Sequence, residues 1–333
     1  MKIYRNHRPT DPNLPCALTI GNFDGVHRGH QAMLSLLCNE ARHRGLPSCV
    51  LTFEPHPRDF FALENNRPQD APARISTLRD KLAELENCGI DEVVVTRFNR
   101  AFANLDPLSF VQQIIQKQLN AHYILVGDDF SFGAKRTGNY GMLDSYGDIY
   151  GFDVARMMSY EVHGLRVSSS ALRKALAAGD MKMAATLQGR PYMISGHICH
   201  GRKLGRTLGE SQLGLHDGFR TLNIAFPHSQ PALKGILIAR VHGLTPEPLK
   251  AIANLGTRPA VEKNGHVLLE VHCLEWPLAT EAAYGKLVQV ELIHKLHDER
   301  PYPNLEELTL GIAQDVAEAK TWWTINTPHN ATT

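Results

Sequence analysis

Two histidines three residues apart, His27 and His30, stand in the run Gly21-Asn22-Phe23-Asp24-Gly25-Val26-His27-Arg28-Gly29-His30. This run follows a short apolar stretch and precedes a segment of helical spacing, which puts it at a strand-to-helix junction. A helix N-terminus presents unpaired N–H groups and the positive end of a dipole, so it suits phosphate. A spacing of three at a helix start puts both imidazoles on one side. Gly29 removes a side chain where a phosphate must approach the backbone. Nucleotidyl transfer asks for in-line positioning, and for donors aimed at the charge that grows on the attacked phosphate and the leaving group. Two imidazoles at this place have the right chemistry. The competing reading is a helix-capping or core pair. A zinc site is less well supported, because no third Cys, His or carboxylate stands nearby.

Three further segments carry unusual residues. Thr52-Phe53-Glu54-Pro55-His56-Pro57 sets two prolines around a histidine. Gly127-Asp128-Asp129-Phe130-Ser131-Phe132-Gly133 puts carboxylates and aromatics on a glycine-bounded loop. Val167-Ser168-Ser169-Ser170-Ala171-Leu172-Arg173 puts hydroxyls at a helix start with an arginine one turn on. Each has an ordinary explanation by itself: a rigid turn, an Asx turn and an N-cap. Their order along the chain, and the position of the first two just after predicted strands, argue for a common site.

The elements that must hold these segments are read from periodicity. Strands are expected at Cys16–Ile20, Ser48–Phe53, Glu92–Thr96, Tyr123–Val126 and Asp153–Met158. Helices are expected at Gln31–Arg44, Thr77–Cys88, Leu108–Leu119 and Ser169–Ala178, several of them stopped by glycine. Strands alternating with helices predict a parallel sheet, whose ligands bind beyond the carboxyl ends of the strands. Past Gly189-Arg190-Pro191 the texture changes to short β-rich runs: Tyr192–His200, Lys234–Val241, Val267–Leu274 and Leu287–Leu292. They predict an antiparallel sheet or barrel. Leu305–Lys320 has helical spacing and is expected to pack on it. The division expected is residues 1–186, 187–326 and a flexible tail 327–333.

Composition sets the class. The chain has 333 residues, 43% hydrophobic and 21% charged, which suits two globular domains. A net charge of +1 gives no global field for nucleic acid. No apolar run is long enough to span a bilayer. The six cysteines form no CxxC pair. These features predict a cytoplasmic protein with reduced thiols and neither nucleic acid nor membrane as partner; a monomer or weak homo-oligomer acting on small molecules is the working expectation.

Taken together, the Gly21–His30, Thr52–Pro57 and Gly127–Gly133 segments resemble the bifunctional bacterial riboflavin kinase/FAD synthetase family, over nearly the whole chain. The resemblance implies an α/β Rossmann-like nucleotidyltransferase domain, then an antiparallel β-barrel of flavokinase type with a terminal helix. It implies ATP and Mg²⁺, with riboflavin, FMN and FAD as substrates and products. His27 and His30 would hold ATP phosphates and the transition state. Gly21, Asn22, Phe23, Asp24 and Gly29 would line the nucleotide pocket, with Gly127 and Asp129 near the ribose and phosphates. Ser168, Ser169 and Arg173 match a second phosphate-binding stretch, and Phe53, Pro55 and Pro57 would shape the flavin side.

In the second half, His200–Gly209 looks like the start of the kinase module. Gly201, Lys203, Gly205 and Arg206 would cradle phosphate there, although a basic β-turn is the better reading of the run taken alone. The family continues directly into Gly-Phe-Pro-Thr-Ala-Asn. Here Glu210–Asp217 intervenes, and Arg220 and Leu222 replace Pro and Ala. Thr221 and Asn223 remain, and both offer neutral oxygens to magnesium. Ala253–Pro259 matches a family turn. Glu270 stands where the family has its proposed general base for the flavin hydroxyl. The alternative is an FAD synthetase alone, with a flavin-binding C-terminal module impaired by the Gly209–Asn223 changes.

Overall fold

The computed structural model describes residues 1–9, 14–162, 164–200, 221–228, 230–257, 267–275 and 280–326. The chain forms two compact units, Met1–Pro72 with Asp80–Ala171, and Ala73–Arg79 with Leu172–Thr333.

The first unit is built on a parallel sheet of β1 (Lys2–Arg5), β2 (Cys16–Ile20), β3 (Ser48–Glu54), β4 (Glu92–Arg97), β5 (Ala121–Gly127) and β6 (Asp153–Met157). Their order is β1-β4-β3-β2-β5-β6. The chain steps outward from β2 through β3 to β4, then crosses to β5 on the other side. The reversal lies between β2 and β5, where ligands of such sheets bind. Continuous apolar runs explain the central strands, since both faces are covered. All of β2 is buried. Leu18, Leu51, Val94 and Ile124 form one core with Phe110, Ile115 and Phe132. Burying each such side chain contributes about 1.5–3 kcal/mol.

Helix α1 (Arg28–His43) buries Leu34, Leu37 and Ala41, residues three and four apart on one face. It starts three residues before the apolar spacing does, because His27 supplies the cap. Helices α2 (Pro57–Glu64), α3 (Leu78–Asn87), α4 (Arg100–Ala103) and α5 (Pro107–Phe110) follow. The single helix expected over Leu108–Leu119 is instead the short α5 joined to a π-helical stretch, Val111–Gln118. Apolar residues keep Val111, Ile114 and Ile115 buried in either winding, so spacing alone cannot tell the two apart. Beyond β5 come α6 (Tyr140–Tyr150), the small hairpin β7 (Glu161–Val162) and β8 (Leu165–Arg166), and α7 (Ser169–Ala177).

The second unit contains α8 (Met181–Gln188) and a closed barrel. Its strands are β9 (Met193–Cys199), β10 (Leu222–Phe226), β11 (Gly235–His242), β12 (Leu249–Thr257), β13 (Val267–Cys273) and β14 (Leu287–His297). The barrel order is β10-β13-β12-β11-β14-β9, and every described pairing is antiparallel. Strict alternation in β13 turns Val267, Leu269, Val271 and Cys273 inward. Ala253–Thr257, expected as a turn, continues β12. Helix α9 (Leu305–Asn326) covers the barrel with Ala319 and Trp323 against Ile238 and Ile252. Arg240 and Lys250 lie over the Trp323 ring at 5.2 and 5.6 Å, and His297 Nε2 meets the Asp315 carboxylate at 2.8 Å.

Candidate active sites

The first site gathers at the carboxyl end of β2. His27 is the N-cap of α1, its Nδ1 accepting from the His30 backbone N–H at 3.3 Å. An accepting Nδ1 is unprotonated, so the neutral ring carries its proton on Nε2. The His27 and His30 rings stack with centroids 3.6 Å apart and planes 15° from parallel. Phe23 packs on His30 at 5.0 Å. A Cβ on Gly29 would lie 3.3 Å from both the His27 ring and the Val167 carbonyl oxygen. Gly29 therefore lets the histidine pair and the Val167 backbone close together. The capping reading holds for His27, and the cap also fixes the direction of its ring.

The turn before the helix is strained. Phe23 has φ 49° and Val26 has φ 38°, and both are fully enclosed. A β-branched residue at positive φ is an outlier, and such strain gathers at functional sites. Neighbouring segments hold it. Gly21 N–H donates to the Leu51 carbonyl at 3.1 Å, and Thr52 Oγ1 donates to the Asn22 carbonyl at 3.3 Å. The fully buried Lys81 reaches Thr52 Oγ1 at 3.5 Å. Ser169 Oγ donates to the Asp24 carbonyl at 3.4 Å, and Ser168 Oγ accepts from the Ala171 N–H at 3.2 Å. Thus the Gly21–His30, Thr52 and Val167–Ser169 segments meet. Lys81 was not marked by sequence, because a Lys on an amphipathic helix ordinarily faces water.

The other candidates divide. Phe53 belongs to a string of rings: Phe98 at 5.8 Å and Phe102 at 5.4 Å, then Phe102–Phe110, Phe110–Phe132 and Phe132–Phe130 at 6.0, 5.5 and 5.6 Å. The string joins the Thr52–Pro57 segment to the Gly127–Gly133 loop. Phe98 and Phe102 were missed, although two aromatics four apart after a strand were a usable signal. The Glu54–Pro55 peptide is cis. Pro57 opens α2 behind His56, whose Nδ1 accepts from Arg58 N–H at 3.1 Å. Asp129 is exposed, and a Cβ on Gly127 would lie 3.4 Å from its Oδ1. Its neighbour Asp128 is tied to Ser159 Oγ and to Arg166 at 3.4 Å. Those bonds, Ser159 first, hold the Asp128 carboxyl below the usual carboxylate range. Arg173 donates from Nε to the Ala73 carbonyl at 2.6 Å, within the second unit.

In the barrel, Asn223 stands opposite Glu270 across β10 and β13. Directly opposed residues share a face, with Cβ atoms about 4.5–5.5 Å apart. Asn223 is 4% exposed, and its Nδ2 donates to the Thr221 carbonyl at 3.3 Å. Register therefore brings Asn223 and Glu270 together, and the Asn223 amide holds the Thr221 backbone beside them. Gly201, Lys203, Gly205 and Arg206 lie outside the described residues, as does most of the Gly209–Asn223 stretch and the whole tail 327–333. Among the described residues, no helix is long and apolar enough to cross a membrane.

Comparison with known proteins agrees with this division. The FAD synthetase family profile matches residues 10–171, and the riboflavin kinase profile matches residues 188–323. The chain is 40% identical over 317 residues to the bifunctional riboflavin kinase/FMN adenylyltransferase of Escherichia coli K12, covering 95% of this chain and 96% of that one. The protein of the same name from Haemophilus influenzae is 40% identical, with 92% and 94% covered. That from Buchnera aphidicola of Acyrthosiphon pisum is 31% identical, with 98% and 99% covered. A crystal structure of a protein named as a macrolide-efflux protein from Streptococcus pneumoniae superposes with a TM-score of 0.73 at 24% identity, over 97% of this chain and all of that one. That likeness is one of fold.

Proposed function

The chain belongs to the family of bifunctional riboflavin kinase/FMN adenylyltransferases, and from that premise we propose how its two sites divide the work. Riboflavin is phosphorylated by ATP in the C-terminal half, and the FMN formed is adenylylated by a second ATP in the N-terminal half. The match of residues 188–323 to riboflavin kinase disfavours a chain that makes FAD alone. We divide the chain functionally at residues 186/187, and assign it to the cytoplasm as a monomer or weak homo-oligomer.

In the adenylyl step, a phosphate oxygen of FMN attacks the α-phosphorus of ATP. The bond to the bridging oxygen breaks, and pyrophosphate leaves. No enzyme nucleophile is required. The work is positioning and charge stabilisation. His27 and His30 donate toward the phosphates at the α1 N-terminus, with Gly21, Asn22, Phe23, Asp24 and Gly29 forming the nucleotide pocket. Gly127, Asp129, Ser168, Ser169 and Arg173 complete it, and Phe53, Pro55 and Pro57 face the flavin. The observation that carries this assignment is the stacked histidine pair at the cap of α1, next to the reversal point of the sheet.

In the kinase step, the terminal ribityl hydroxyl attacks the γ-phosphorus and ADP leaves, while Glu270 takes the hydroxyl proton. Gly201, Lys203, Gly205 and Arg206 are assigned to the ATP phosphates. Thr221 and Asn223 offer hard neutral oxygens beside the Glu270 carboxylate, a donor set that fits Mg²⁺. Bound there with nucleotide, Mg²⁺ would neutralise charge on the phosphates. The test is a product assay from riboflavin, ATP and Mg²⁺, which should yield FMN, FAD and pyrophosphate. FAD appearing only when FMN is supplied would overturn the kinase assignment.

A further inference from the structure

We propose that Asn254 is a riboflavin-binding residue of the kinase half, and that Glu299 is the positioning residue that sets the direction of its amide. The inference rests on the kinase reading above. Asn254 stands opposite Glu270 in the β12–β13 register, and Glu270 in turn stands opposite Asn223. Directly opposed residues point to the same face of a sheet. Asn223, Glu270 and Asn254 therefore form a polar row across three strands, with the proposed base in the middle. The Ala253–Pro259 pattern marks the segment, but only register brings Asn254 to the row.

The amide has a fixed direction. Asn254 Nδ2 donates to Glu299 Oε1 at 3.0 Å. A carboxylate only accepts, so the nitrogen must face it. Asn254 Oδ1 is left buried with no hydrogen-bond partner among the described residues. A buried acceptor without a donor is costly to leave unmade.

Glu299 is seated by a notch. A Cβ on Gly256, two residues along the same face of β12, would lie 2.0 Å from Glu299 Oε1 and 2.4 Å from Oε2. The missing side chain makes room for the carboxylate. Glu299 forms no ion pair with a described residue, so the contact with Asn254 is what holds it there.

The substrates of this half differ in what they can give a buried acceptor. ATP carries its donors on the ribose and adenine, at the far end from the γ-phosphate that must come to Glu270, and its phosphates offer none. The ribityl chain of riboflavin carries several hydroxyls, and its terminal one must come to Glu270 in the next strand. Asn254 Oδ1 accepts a hydrogen bond from that chain. It thereby helps to select a flavin that carries a polyol over the bare ring system.

The experiment is steady-state riboflavin kinase kinetics on the full chain, with the thermal unfolding curve and the KM for ATP of the same preparations certifying that the barrel is folded. Asn254→Ala should raise the KM for riboflavin roughly five- to tenfold, the value of one neutral hydrogen bond, with the KM for ATP unchanged. Competitive inhibition by lumiflavin, which has the ring without the chain, should not change. Gly256→Ala and Glu299→Ala should raise the riboflavin KM in the same sense. Glu299→Gln should keep the native KM, because its amide oxygen accepts the same bond. An unchanged riboflavin KM in Asn254→Ala would overturn the proposal. So would an equal loss of lumiflavin inhibition, which would signal general distortion. A native chain that makes no FMN would instead sink the kinase reading itself.

Discussion

The Gly21–His30 turn is continuous in sequence, whereas the Asn223–Glu270 pair is assembled from strands 47 residues apart in the chain. In the parallel sheet, a ligand meets the loops at the strand ends, so a site there is written in consecutive residues. In the barrel it meets a face, so a site is written in register. The first kind fixes its groups by backbone strain, a cap and buried hydrogen bonds. The second fixes them by which residue stands across from which. This difference says how each half should fail.

The largest expected effect is at the proposed base. Glu270→Gln should lower FMN formation by roughly 10²–10⁴-fold, and leave FAD formation from FMN at the native rate in a two-substrate product assay. His30→Ala should do the reverse, lowering FAD formation by roughly 10²–10³-fold while FMN accumulates. Loss of both activities in either variant would erase the distinction between the halves. Thr52→Val sharpens it further. It removes the hydroxyl that links Lys81 to the Asn22 carbonyl, and should cost about 1–3 kcal/mol of stability, read by denaturant unfolding, together with a slower adenylyl step. The kinase rate should not follow.

The smallest effect concerns pH. Asp128 is held below the ordinary Asp value by Ser159 and Arg166. A lowered carboxylate contributes stability above the unfolded-state value, about 3.9, and that contribution fades as pH falls through the lowered value. The group is solvent-screened, so the contribution is small. Comparing acid melts of the native chain with Asp128→Asn should show the two curves converging as the medium becomes more acidic. Divergence would contradict the sign.

The same contrast governs what sequence made legible. The strands of the parallel sheet were readable because β-branched runs such as Val93-Val94-Val95 sit between helices with clear apolar faces. Strand β1 was not, because Lys2-Ile3-Tyr4-Arg5 is a short edge held by pairing with β4. Helix α6 was hidden by Gly141 and Gly147, which lower helix propensity. Leu249–Thr257 reads as a weak strand, since Ala, Leu and Lys favour helix, and the barrel decides it. At the sites, the Gly21–His30, Thr52 and Val167–Ser169 segments, which the structure brings together, are each continuous in sequence and were legible there. Lys81 was not, because nothing local announces that a lysine will be entirely buried. Asn254 lies in a segment matched to a family turn, but its place beside Glu270 was not legible, because sequence does not state cross-strand register.

The central claim is that the two chemistries sit on separate sites and that FMN is the compound passed between them. Mixing is the most direct measurement. Neither His30→Ala nor Glu270→Gln alone should convert riboflavin to FAD at an appreciable rate, yet an equimolar mixture of the two, given riboflavin, ATP and Mg²⁺, should restore FAD formation through free FMN. A mixture as inactive as its components would contradict the account.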